Sequence, residues 1–99
     1  MSQDEMKDVT READYYRSMG WYTRAVRLYT QVVPLCPPKS VIMAQVLAKR
    51  SAAFEGLLDY ESAVEDAEAS IEAHSRSYHG YLAAGNALCG LRNYEQALP

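Results

Sequence analysis

At 99 residues the chain has room for one small domain with a modest core and not for two. A hydrophobic content of 48% excludes disorder, and a net charge of −3 with no basic block beyond Lys49-Arg50 excludes nucleic acid or an anionic membrane as the main partner. Cys36, Cys89, His74 and His79 show no metal-ligand spacing, so no metal and no cofactor are expected.

Helix signals follow in chain order. Ser2 with Glu5 makes a capping box that opens a first helix, predicted to run to Ser18 or Met19 and to be broken by Gly20. A second helix is predicted from Tyr22 to Val33, stopped by Pro34. Pro37 and Pro38 bound a third, which continues through Val41, Val46 and Phe54 to about Leu57. Asp59 caps a fourth, running to about His74. Ser75 or Ser77 opens a fifth through Tyr81, Leu82 and Leu88, and Asn93 is expected to cap a sixth, cut short at Pro99.

The chain repeats itself. Ala25, Ala63 and Ala97 recur at intervals of 38 and 34 residues, and Ala13, Ser51 and Gly85 share the same two intervals. So do Tyr16, Phe54 and Leu88, and again Tyr22, Tyr60 and Tyr94. Small residues at matching places on both helices of a pair let the helices approach closely, and the large residue three positions on fills the space beside the crossing. A pair cannot bury its apolar face alone, so pairs stack into a solenoid. The four extra residues of the longer interval lie between Ala25 and Ser51, where one added helical turn would preserve the facing.

These columns resemble the tetratricopeptide repeat, whose signature is W-x2-L-G-x2-Y…A-x3-F…P over about 34 residues. Tyr81, Ala84, Gly85 and Leu88 match it in the third unit; Leu47, Arg50, Ser51 and Phe54, then Ala63, Ala67 and Ser70, match in the middle. The first unit offers Val9, Glu12, Ala13 and Tyr16, then Ala25, Tyr29, Val32 and Pro37. Glu12 and Arg50 depart from the usual Leu, and Ser75 from the usual closing Pro. The resemblance covers nearly the whole chain. It implies an all-α solenoid of antiparallel helix pairs, about two and a half repeats, as one domain over residues 1–99 with units 6–39, 40–76 and a truncated 77–99. It also implies a non-catalytic adaptor or scaffold that binds a protein or peptide in the concave groove lined by the first helices.

The text Lys49-Arg50-Ser51-Ala52-Ala53 with Ala63-Val64-Glu65-Asp66-Ala67 is further similar to co-chaperone members of the family, which grip acidic chaperone tails ending Glu-Glu-Val-Asp. The positions of that grip fall here on Thr10, Asp14, Lys49, His79 and Ala83, so most donors are missing and Asp14 opposes a carboxylate. Lys49 is left to hold one anionic group, and His79 only when protonated.

By helical phase the groove set is Lys7, Thr10, Asp14 and Arg17, then Gln45, Ala48, Lys49, Ala52 and Glu55, then His79, Leu82, Ala83, Asn86 and Cys89. Ala48, Ala52, Leu82 and Ala83 are expected to make an apolar floor for one anchor side chain of an extended or helical peptide. Glu61, Glu65, Glu68 and Glu72 share one face of the fourth helix, read as a solvated convex surface or a stripe for a basic partner. No Gly-x-Ser-x-Gly elbow, phosphate loop or His-Glu-x-x-His motif occurs, so no enzyme is expected.

The short sixth helix points to the N-terminal part of a longer protein. Its alternative is a structural, self-associating module, a weak homodimer through the uncapped C-terminal face. No stretch is apolar over the length of a bilayer span. Asp4, Glu5, Asp8, Glu12 and Asp14 rule out a signal or transit peptide at the start, which leaves the cytoplasm as the expected compartment.

Overall fold

A computed structural model describes residues 2–97. Five helices follow one another: α1 (Gln3–Ser18), α2 (Tyr22–Val32), α3 (Val41–Gly56), α4 (Tyr60–Ala73) and α5 (Tyr78–Ala97), with a 3-10 turn at Val33–Leu35. Among the described residues there is no strand. Successive helices pack as antiparallel neighbours, and α3 also touches α5, consistent with a short tetratricopeptide-like array.

The caps explain the boundaries. The Ser2 side chain accepts from the Glu5 backbone N–H at 3.2 Å, Ser40 from Met43 at 3.0 Å and Asp59 from Ser62 at 3.3 Å. Both first-helix ends use one turn. At the end of α1, Trp21 donates to the Tyr16 carbonyl at 2.8 Å and Gly20 to Arg17 at 3.1 Å, with Gly20 left-handed at φ 81°. The Tyr16 and Trp21 rings stack 5.6 Å apart, the apolar contact that accompanies such a turn. At the end of α3, Asp59 donates to Phe54 at 2.9 Å and Leu58 to Glu55 at 2.9 Å, but here the left-handed residue is Leu58, at φ 61°.

The small columns meet as expected in the first two units. Ala13 and Ala25 are fully buried, as are Ser51 and Ala63. Ser51 Oγ donates to the Ala63 carbonyl at 2.7 Å, and Ser70 Oγ to Ala44 at 2.6 Å, so each buried hydroxyl bonds across the α3–α4 seam. Arg50, which replaces an apolar residue of the repeat pattern, reaches Asp66 with two hydrogen bonds of 2.7 Å. Asp66 is 6% exposed, so this fork is a mostly dry link between α3 and α4.

Two expectations are corrected. The four extra residues do not lengthen a helix: α2 stops at Val32, and the 3-10 turn and the Cys36–Ser40 connection take them up, with Pro37 and Pro38 ahead of the α3 cap rather than in its first turn. Nor does Asn93 cap a sixth helix. α5 runs straight through it to Ala97, and its amide contacts Cys89 Sγ one turn back. The residue matching Gly20 and Leu58 is Arg92. A side chain in the left-handed region costs about 1–2 kcal/mol. At Leu58 the packing of α4 on α3 offsets that cost. Residues 98–99, the rest of that expected helix, lie outside the described residues.

The third-unit columns are open in consequence. A Cβ on Gly85 would meet nothing within 4 Å, Leu88 is 53% exposed, and Tyr94 and Ala97 are exposed too. α5 packs with its other face, where Gly80 lies so close to α4 that a Cβ would sit 2.7 Å from the Ile71 nitrogen.

Candidate binding groove

The first helices do bring part of the predicted set together. Lys7, Thr10 and Asp14 of α1 and Gln45 and Lys49 of α3 line one cleft of about 440 Å³. Its apolar wall is supplied by Met6, Val32, Leu35, Pro37, Ile42 and Val46. Those residues were not in the predicted floor. Val32 and Leu35 come from the end of α2 and the 3-10 turn, so a reading confined to first helices misses them. The signal was the long interval between Ala25 and Ser51, which swings this apolar corner under the cleft.

The polar side of the cleft is a closed network. The Asp14 carboxylate accepts from Lys49 Nζ at 2.9 Å and from the Tyr29 hydroxyl, and Arg17 lies 3.8 Å away. Arg17 Nε also donates to the Tyr29 oxygen at 3.1 Å. Tyr29 is fully buried. Its burial, and then its bond to Asp14, push the phenol well above its ordinary range. Lys49 was expected to be free for an anion; it is held by Asp14. Lys7 makes no ion pair among the described residues. Thr10 turns its hydroxyl back to the Met6 carbonyl at 2.7 Å.

The remaining candidates do not line this cleft. Arg17 backs Asp14. Ala52 is half-buried on α3, as is Glu55, whose carboxyl is raised by burial. His79 reaches Gln45 across α3 and α5 at 3.4 Å. Ala83 is buried at 7% exposure and serves α5 packing rather than an accessible floor, whereas Leu82 and Asn86 are exposed. The four glutamates of α4 are all exposed.

Among the described residues no group of three or more His, Cys, Asp or Glu could hold a metal ion, and no helix is long and apolar enough to cross a membrane. No family model matches the chain. The chain is similar to the mitochondrial import receptor subunit TOM70 of Homo sapiens and of Mus musculus, 28% identical to each over 76 residues, or 76% of its length. It spans 12% of the length of the curated relatives it matches.

Proposed function

We propose that the chain is a non-catalytic protein-binding module that takes an extended or helical peptide in the α1–α3 cleft. The observation that carries this reading is the cleft itself: an apolar wall from Met6, Val32, Leu35, Ile42 and Val46 faces a rim of polar side chains. Ile42 is 49% exposed at its mouth, an apolar side chain with no partner to justify its place on a helix start. The ligand is a peptide with one apolar anchor for that wall and few charges. The distant likeness to an import receptor subunit supports a protein partner over a small molecule. An acidic chaperone tail is disfavoured, because Asp14 already occupies Lys49.

The test is a displayed random-peptide library selected on the chain, followed by titration of the selected synthetic peptide with amide shifts as readout. Shifts at Met6, Ile42 and Val46 that Ile42→Arg abolishes and Glu65→Lys leaves intact support the cleft. Selected peptides that shift other helices, or that bind Ile42→Arg equally well, overturn it.

A further inference from the structure

The α1–α3 cleft is lined by three cations, Lys7, Arg11 and Lys49, against one carboxylate, Asp14, in a chain whose net charge is −3. Asp14 and Lys49 satisfy each other at 2.9 Å. The other two cations have no such partner. Lys7 makes no ion pair among the described residues. Arg11 lies 3.8 Å from Asp8 with side chains 78% and 76% exposed, a loose pair in open solvent. The lining residues of α1 form one stripe, and by helical phase Lys7 and Arg11 stand at one edge of it, a turn apart, with Met6 at the other edge. Ile42 and Val46 make the same one-turn step on α3. The cleft thus has an apolar wall and a basic lip of equal pitch.

Its polar groups have little to offer a peptide backbone. Thr10 Oγ1 donates to the Met6 carbonyl at 2.7 Å, Gln45 Nε2 reaches His79 at 3.4 Å, and Asp14 and Lys49 hold each other. An extended ligand pressed into the cleft would leave its N–H and C=O groups short of partners. A helix pairs its own and brings only side chains. A space of about 440 Å³ takes those side chains and leaves the helix axis at the mouth.

We infer that the ligand of this cleft is an acidic amphipathic helix of a protein partner. Its apolar stripe packs on Ile42 and Val46, and two carboxylates a turn apart on the flank of that stripe pair with Lys7 and Arg11. Carboxylates so spaced repel in the free helix, and the lip removes that repulsion on binding. They are side chains at the rim, so Asp14 keeps Lys49, which an acidic chain terminus would have to take from it. The inference rests on the reading of the cleft as a peptide site and adds to it a conformation, a charge and a place for that charge.

A displayed library tests it, with peptides of roughly 16 residues carrying a fixed Leu stripe at helical spacing and Glu, Gln, Lys or Ala elsewhere. The expected result is enrichment of Glu at two positions a turn apart beside the stripe. A selected peptide, made synthetically with isotope label, shows helical Cα shifts when bound. It binds about three- to tenfold more tightly than its twin with Gln at those two positions. That difference shrinks between about 0.05 M and 0.5 M salt. It vanishes in the chain carrying Lys7→Gln and Arg11→Gln, while Ile42→Arg abolishes binding of both twins. The twins are compared on the unaltered chain, so the result stands even where the double variant loses helicity. Peptides that need Ile42 but bind extended, or bind equally as the Gln twin, overturn the inference and leave the cleft a peptide site. So does selection of Lys-rich peptides, or of none from this library while the random library yields cleft binders. Peptides indifferent to Ile42→Arg, or no binders from either library, overturn both readings.

Discussion

Asp14 holds Lys49 at 2.9 Å across neighbouring first helices, so the groove supplies its own carboxylate to the cation best placed to receive one from a ligand. An incoming acidic terminus would have to displace Asp14 from Lys49, Arg17 and the Tyr29 hydroxyl together. The wild-type chain is therefore expected to show no saturable amide shifts with a Glu-Glu-Val-Asp-ended peptide at millimolar concentration. Asp14→Asn keeps the shape, frees Lys49 and should bring weak saturable binding, with a gain of about 1 kcal/mol. Equal silence in both proteins would mean that too few donors converge even when Lys49 is released.

The Arg50–Asp66 fork is mostly buried, with side chains 19% and 8% exposed. Asp66→Ala leaves a guanidinium without its partner between α2, α3 and α4 and should cost about 3–5 kcal/mol in urea unfolding. Replacing both residues by apolar ones, Arg50→Met with Asp66→Leu, should recover most of that loss. A single variant that unfolds at the wild-type midpoint would show that the pair contributes little.

Gly80 and Gly85 lie on opposite faces of one helix, and adding a methyl to each should act in opposite directions. Gly80→Ala drives a Cβ against the Ile71 backbone and should cost about 1–3 kcal/mol. Gly85→Ala meets open space and should gain up to about 1 kcal/mol of helix propensity, read by thermal unfolding at low protein concentration.

Leu58 is left-handed and 63% exposed, so its side chain contributes little burial against its backbone cost. Leu58→Gly should raise stability by about 0.5–1 kcal/mol, seen as a higher melting temperature with unchanged helicity.

Alkaline pH should destabilise the fold through Tyr29. Burial and the Asp14 bond raise its pKa in the folded state above the ordinary value of about 10. Above that value the unfolded chain loses the phenol proton while the folded chain still holds it, so stability falls as pH rises. The urea midpoint of the wild type should drop steeply above about pH 10, and Tyr29→Phe, less stable near neutrality, should drop less steeply over the same range.

What could be read from the residues was local or periodic. Ser2 and Asp59 announce helix starts by their chemistry, and Ala13 with Ala25, or Ser51 with Ala63, announce crossings by recurrence. What escaped depended on energies shared between distant segments. Asn93 is as good a cap as Asp59, yet a cap acts only where the chain turns, and α5 continues through Asn93 to Ala97. The Lys49–Asp14 pair joins residues 35 apart, and nothing in either neighbourhood signals it. The wall of the cleft came from a bend in the connection, where spacing shows that residues were added but not which way they point.

The turn shared by Gly20 and Leu58 joins the two helices of a pair in both of the first two units. Each further layer requires one residue to cross into a backbone region that glycine enters freely and other residues enter only against later packing. The way each pair folds back on itself is thus set by a single dihedral angle per layer. Leu58 shows that a larger residue is admitted there when the next helix packs back, so glycine at that position eases the turn without deciding it.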